Sequence, residues 1–306
     1  MKKEKSATIR LNPDDNVVVA LGDLQPGTKI QSGKTITQNS IPAGHKLAFE
    51  AIPQGAIIRK YGQIIGVASR NIQPGDHVHT HNVDMSEFNR NYALDSQVKS
   101  TKYILGPEQA TFDGIVRDDG QVATRNYIGV LPSVACSASV CRYIADAFTD
   151  KILAAYPNVN GVVGLTHTAG CGGPGYGEGF EILQRCLSGY ARHANFWGVL
   201  FVGLGCEVNQ LDSMLADTGL ERNSRIHTFT IQESGGTEAT IKRGIAIVKE
   251  MLPEANRVKR QPVSASNLVL GMECGGSDAY SGITANPALG VAADLVVRNG
   301  GTAILS

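Results

Sequence analysis

The stretch "GVVGLTHTAGCGGPGYGEGFEILQRCLSGYARHA", Gly161 to Ala194, decides the fold. It opens on a short apolar run. It then crosses a loop with seven glycines between Gly164 and Gly179, and closes in a segment with helical spacing. A buried strand, a tight loop and an amphipathic helix are one half of a βαβ unit. The same order recurs on both sides. "NYIGVLPSVA" (126–135) leads into "SASVCRYIADAFTDKILAAY" (137–156), and "WGVLFVGLGCE" (197–207) into "QLDSMLADTG" (210–219). "RIHTFTI" (225–231) leads into "GTEATIKRGIAIVKEML" (236–252). Apolar runs alternating with amphipathic helices predict an α/β domain over 111–252, with a parallel, Rossmann-like sheet and helices on its faces. Right-handed crossovers put every strand-to-helix loop on one edge of that sheet.

The N-terminal part follows another rule. "NVVVAL", "KLAFEAI", "AIIRKYG", "IIGVAS" and "DHVHTHNV" are short apolar runs, separated by "QPG", "IPAG", "IPQG" and "IQPG". Pro-Gly and Ala-Gly punctuation at such intervals predicts a separate small all-β domain over 1–84. Residues 85–110 and 253–266 are polar and aperiodic and read as linkers, the first long enough to wrap or cross between domains. From 267 a strand with a glycine loop, a helix (287–300) and a strand (301–306) begin a third α/β unit. One strand, one helix and one more strand do not bury a core alone, so this unit is expected to be incomplete.

Composition excludes several function classes. The 306 residues carry 28 basic and 28 acidic side chains, a formal net charge of zero. A nucleic-acid binder usually shows a basic excess, so none is expected as partner. No run reaches the roughly 18 apolar residues of a membrane span, and the basic start has no apolar stretch behind it. The six cysteines lack the density of a disulfide scaffold and are expected reduced, in a cytoplasmic protein.

Cys136, Cys171, Cys206 and Cys274 each sit at or just past the C-terminal end of a predicted strand, the edge where open α/β sheets bind ligands. Their spacing matches no zinc pattern. Two readings stand: small residues suited to tight turns, and a three- or four-Cys iron–sulfur site assembled from separate strand ends. The turn reading is preferred for Cys136 and Cys206, whereas Cys171 and Cys274 are balanced. Cys141 and Cys186 fall within helices and read as packing residues. The glycine loop lacks the Lys and the spacing of a nucleotide loop. An anion at the helix N-terminus, a carboxylate rather than a phosphate, remains open to it.

"DHVHTHN" places His77, His79 and His81 at period two, on one face if they lie on a strand. His45 is a fourth histidine within 37 residues that hold four of the chain's seven. A solvent-facing row on an edge strand is the bland reading. A metal or catalytic role for one or two of them is favoured. Thr124, Arg125, Asn126, Glu207, Glu273, Ser277 and Asp278 are further polar residues near glycine-rich turns. Arg125 suits a carboxylate as well as it suits a surface.

On these residues the chain resembles the altronate/galactarate dehydratase family, which acts on sugar acids. The resemblance rests on "IPAGHKLA", "IIRKYGQIIGVA", "HVHTHNV", "GQVATRNYIGVLPSVACSA", "VVGLTHTAGCG", "VGLGCE" and "MECGGSDAYSGITANPALG". It spans essentially all 306 residues, and "HVHTHN" sets it nearer the altronate branch. It implies that the first domain is a SAF-like β-clip. It also implies that the chain corresponds to the N-terminal portion of longer members, with the third unit truncated. The implied activity is metal-dependent dehydration of a sugar acid such as altronate to a 2-keto-3-deoxy acid. Fe²⁺ or Mn²⁺ would be the divalent metal, with Mg²⁺ admitted. His77, His79 and His81 become the expected metal ligands, with His45, His167 and Cys171 catalytic, the last two facing the histidines from the second domain. Arg125, Asn126 and Gly172 would bind substrate. The expected partner is the small-molecule sugar acid, and a homo-oligomer is compatible. The alternatives are a sulfolactate-type sulfo-lyase and a sugar-acid-binding fragment without turnover.

Overall fold

The computed structural model describes residues 6–30, 35–85, 98–275 and 280–306. The chain divides into two compact units, one formed by 1–107 with 268–306 and the other by 108–267. Each is described by itself.

In the first unit, short strands follow the turn punctuation. They are β1 (Thr8–Ile9), β2 (Val17–Ala20), β3 (Lys29–Ile30), β4 (Thr35–Ile36), β5 (Lys46–Ala48), β6 (Ile57–Lys60), β7 (Gln63–Ala68), β8 (His77–Val78) and β9 (Val83–Asp84). They form antiparallel sheets in the orders β1-β2-β5-β8, β6-β7-β9 and β3-β4. Gly27, Gly44, Gly55 and Gly75 close the four Pro-containing turns at φ between 79° and 89°. That region suits a residue without Cβ. The apolar residue ahead of each turn is then buried and bridged: Leu24 pairs with Ile41, and Ile52 with Ile72. The continuous apolar run of β2 has a physical cause. Val17 faces one cluster, with Ile52, Ile58 and Ile72, while Val18 and Ala20 face another, with Ile41 and Leu47.

The same unit holds β17 (Val269–Met272), α6 (Ala285–Arg298) and β18 (Thr302–Leu305), whose strands pair in parallel. Residues 98–107 run beside α6, tied by Ile104 N–H to the Arg298 carbonyl at 2.7 Å. Val269, Val291 and Leu305 are exposed, so this βαβ piece leaves apolar surface uncovered.

The second unit carries β10 (Thr111–Val116), β11 (Val122–Ala123), β12 (Tyr127–Pro132), α1 (Ala138–Asp146), α2 (Asp150–Leu153), β13 (Gly161–Gly164) and α3 (Glu178–Arg192). It continues with β14 (Phe196–Gly203), α4 (Leu211–Thr218), β15 (Ile226–Thr230), α5 (Thr237–Ala255) and β16 (Gln261–Ser264). The order β13-β12-β14-β15 is parallel throughout. β14 is buried on both faces by alternation. Leu200 and Val202 join residues of α1 and α5, whereas Val199 and Phe201 join residues of α3 and α4.

Three local readings change. The helix expected over 137–156 breaks after α1, and α2 restarts at Asp150 behind Thr149. The stretch 253–266, read as a linker, contains the last turn of α5 and the strand β16. Pro253 lies in that last turn, where its missing N–H removes one intrahelical bond. β16 pairs with β10, which also pairs with β11, so a small antiparallel sheet adjoins the parallel one in sequence. Among the described residues no helix is long and apolar enough to cross a membrane.

Candidate active site

The histidines do form a cluster, though not on one extended strand. β8 ends at Val78, and the chain then turns through residues 79–82. Asn82 builds that turn. Its Oδ1 accepts from His79 N–H at 2.9 Å and its Nδ2 donates to the His77 carbonyl at 2.9 Å. Across the ladder Leu47 pairs with His77, and one step further the antiparallel register sets His45 opposite His79. Alternation puts His45 and Leu47 on one face of their strand. The rings of His45 and His79 accordingly stack at 5.2 Å between centroids, and His77 lies 5.1 Å from His45 and 5.4 Å from His79. His81, exposed in the turn, reaches His77 at 5.5 Å.

Desolvation pushes His77 down to about 4, assisted by the positive charge that His45, His79, His81 and Lys46 would add. His79 is lowered for the same reasons, desolvation first and then Lys46. Both imidazoles are therefore neutral near pH 7, as a metal ligand must be. His45 Nδ1 and His77 Nε2 are hydrogen-bonded at 2.9 Å, one ring donating its N–H to the other. Among the described residues no three His, Cys, Asp or Glu side chains converge on a single ion position. The donor chemistry suits a divalent ion held by two imidazoles with its other positions open. The close pair is His45 with His77, not the sequential row of His77, His79 and His81.

A second group of residues gathers at the C-terminal edge of the parallel sheet, in the loops after β12, β13 and β14. His167 is locked in its loop. Its Nδ1 accepts from Ala169 N–H at 3.1 Å, which leaves the ring proton on Nε2 to donate to the Pro132 carbonyl at 3.1 Å. Both ring nitrogens are thus engaged in shaping the loop. Cys171 and Gly172 are exposed, and a Cβ at Gly172 would meet nothing. The Cys171 carbonyl accepts from Val208 N–H at 3.2 Å. Beside these loops lies a cavity of about 330 Å³ lined by Ser133, Ala169, Pro174, Tyr176, Phe180 and Glu207, among others.

Glu207 is the charged residue whose importance the sequence understated. It is buried, and its carboxylate accepts from Ser133 Oγ at 2.5 Å, from Leu204 N–H at 3.1 Å and from Gly205 N–H at 2.5 Å. Burial alone would raise this carboxyl, but these bonds hold it below the ordinary carboxylate value. Gly203 leaves the room. A Cβ there would lie 2.5 Å from Glu207 Oε1 and 3.3 Å from Ser133 Oγ. The signal was present as an acidic residue in "GLGCE", directly after an apolar strand.

Arg125 and Asn126 are not brought to this edge. They precede β12, whose six residues separate them from Ser133 by about 20 Å at 3.3 Å per residue. Asn126 is fully buried and its amide is used up. Nδ2 donates to the carbonyls of Asn158 and Ala255, both at 2.8 Å, and Oδ1 accepts from Arg117 at 3.0 Å. Its side chain thus ties the start of β12 to Asn158, to the end of α5 and to Arg117. Arg125 is exposed, and its backbone N–H is held by Asn195 Oδ1 at 3.0 Å. Ser277 and Asp278 lie outside the described residues.

Three family models match in succession. Residues 6–86 match the altronate/galactarate dehydratase SAF domain. Residues 114–256 match the second domain of D-galactarate dehydratase/altronate hydrolase, and 265–306 the C-terminal part of D-galactarate/altronate dehydratase. The chain belongs to the altronate/galactarate dehydratase family. It is 33% identical over 305 residues to an altronate dehydratase of Bacillus subtilis, covering 97% of this chain and 59% of the relative. It is 35% identical over 306 residues to a galactarate dehydratase (L-threo-forming) of Escherichia coli, covering 97% of this chain and 58% of the relative. A (2R)-sulfolactate sulfo-lyase subunit beta of Chromohalobacter salexigens is more distant, 29% identical over 196 residues, 63% of this chain and 46% of the relative. The chain thus spans less than two thirds of the length of these dehydratases. In this chain the stretch matching the SAF domain carries the histidine cluster, and the stretch matching the second domain carries Glu207 and the loops of Cys136, Cys171 and Cys206.

Proposed function

We propose that the protein is a metal-dependent hydro-lyase that eliminates water from a sugar acid, altronate first, to give a 2-keto-3-deoxy acid. The observation that carries this reading is the likeness to named altronate and galactarate dehydratases along 97% of the chain. The altronate preference rests on the "HVHTHN" string of His77–Asn82, and Fe²⁺ or Mn²⁺ is preferred to Mg²⁺ because the donors are imidazoles. We also read the parallel sheet as Rossmann-like, residues 267–306 as the start of a third α/β unit, and the protein as cytoplasmic.

His45 and His77 would hold the ion. When bound, the ion would polarise the substrate's carboxylate and hydroxyl oxygens and so acidify the C2 proton. The protein's own task is to supply a base for that proton. An imidazole kept neutral at pH 7, as His77 and His79 are, accepts a proton and does not deliver one. These two therefore suit the base or ligand roles, and the acid for the departing C3 hydroxyl is a separate group. His167, with both nitrogens committed, suits neither role and keeps its loop in shape.

The test is keto-acid formation from altronate, galactarate and sulfolactate, with Fe²⁺, Mn²⁺ or Mg²⁺ added. Turnover of altronate above galactarate supports the reading. Turnover of sulfolactate alone would replace it with the sulfo-lyase reading favoured by the subunit beta match. Binding of a sugar acid without turnover would replace it with a binding role.

A further inference from the structure

We propose that Cys136, Cys171 and Cys206 form a three-thiolate site for an iron–sulfur cluster at the C-terminal edge of the parallel sheet. The fold brings the three together by topology. β12 is flanked by β13 on one side and β14 on the other, and the three cysteines lie in the loops that follow these adjacent strands. The loops are tied to one another. Ala135 N–H donates to the Ala169 carbonyl at 2.8 Å, and Val208 N–H to the Cys171 carbonyl at 3.2 Å. Cys171 and Cys206 are both near enough to Cys136 to act on it electrostatically.

These thiols are not packing residues. All three are exposed, in contrast to Cys141, which is fully buried in the α1 core.

The chemistry narrows the occupant. Thiolates select soft centres: iron–sulfur clusters, zinc or Cu(I). A single ion needs its ligands to converge on one point, which no three such side chains do among the described residues. A cluster presents its irons at separate corners and accepts thiolates spread around it. Three thiolates on a four-iron cluster leave one iron without a protein ligand. The 330 Å³ cavity that Ser133, Ala169 and Glu207 help to line adjoins these loops. Use of that iron as a Lewis acid for a hydroxy-acid oxygen rests on the proposed function. Cluster binding does not.

The experiment is anaerobic reconstitution of the full chain with Fe³⁺, sulfide and a thiol reductant, so that ferric iron supplies the oxidising equivalents of a mixed-valent cluster. Its readouts are bound iron, acid-labile sulfide and visible charge-transfer absorption. Wild type and Cys186→Ser, a change on the exposed face of α3, are expected to take up iron and sulfide together. Cys136→Ser, Cys171→Ser and Cys206→Ser are each expected to lose at least about tenfold in affinity, with circular dichroism unchanged. His77→Gln is expected to keep the signal, which separates this site from the histidine cluster. Should a serine variant fail to fold, alkylation of the loaded wild-type chain decides: the three thiols must be protected and Cys186 must react. A folded wild type that binds no sulfide, thiol-dependent uptake of iron or zinc without sulfide, or serine variants that load like wild type would each overturn the proposal.

Discussion

The hydroxyl of Ser133 donates to the carboxylate of Glu207 at 2.5 Å, joining the end of β12 to the loop after β14 beneath the candidate cavity. With Leu204 N–H and Gly205 N–H on the same carboxylate, Glu207 fixes the loop that presents Cys206.

A pH dependence follows. The folded Glu207 carboxyl sits below its ordinary 4.5. Its stabilising contribution is therefore complete above that value and is lost as pH falls through the lower folded one. Glu207→Gln is expected to destabilise by about 1–3 kcal/mol at neutral pH. Urea unfolding should show the gap to wild type closing in acid. A gap that stays constant with pH would mean that the hydrogen bonds, and not the charge, carry the effect.

Asn126→Ala should cost about 2–4 kcal/mol, because it strands the carbonyls of Asn158 and Ala255 and frees the Arg117 guanidinium. Arg117 is already pushed down to about 10, by desolvation and by Arg225. A double-mutant cycle of Asn126→Ala with Arg117→Met should show coupling. Sugar-acid affinity of the folded variant should match wild type. A loss of affinity without a loss of stability would return Asn126 to the substrate.

The histidine cluster predicts a graded response. His45→Ala and His77→Ala should lower Mn²⁺ or Fe²⁺ affinity by about tenfold or more, and His81→Ala by much less, since His81 is exposed and touches only the His77 ring among the ring contacts described. Titration of each variant with Mn²⁺, read by electron paramagnetic resonance, orders them. Losses in His77→Ala, His79→Ala and His81→Ala with His45→Ala unaffected would restore the sequential row as the ligand set.

Much of this was legible, for identifiable reasons. The strand–helix alternation was readable because β14 buries alternate residues on both faces and so shows as an unbroken apolar run. β16 was not, because "QPVS" pairs on one side with β10, stays half exposed and carries a proline. The histidine cluster was expected from a period of two. It arises instead from register across β5 and β8 plus a turn built by Asn82. Arg125 and Asn126 were placed with His167 and Cys171 although they precede a strand. In a parallel sheet that order alone sets them on the other edge. The gathering of Cys136 and Cys206 beside Cys171 needed the strand order β13-β12-β14, which no local pattern reveals.

Two glycines should respond in opposite ways to substitution. Gly55, at φ +80° with open space around it, should tolerate Asn better than Ala, because Asn visits the left-handed region more readily. Gly203 is set by space, so Ala should cost about 1–3 kcal/mol and Asn more. Thermal denaturation of the four variants checks the crossing. The same rank order at both sites would remove the distinction.

The space at Gly203 that Glu207 fills also has an evolutionary consequence. Position 203 can gain a side chain only if position 207 gives up the oxygen that fills the space, and a shortened residue at 207 leaves a hole that only a change at 203 refills. The two sites are expected to drift as a pair, each substitution being harmful alone and tolerated together, so that this corner of the sheet changes in double steps or not at all.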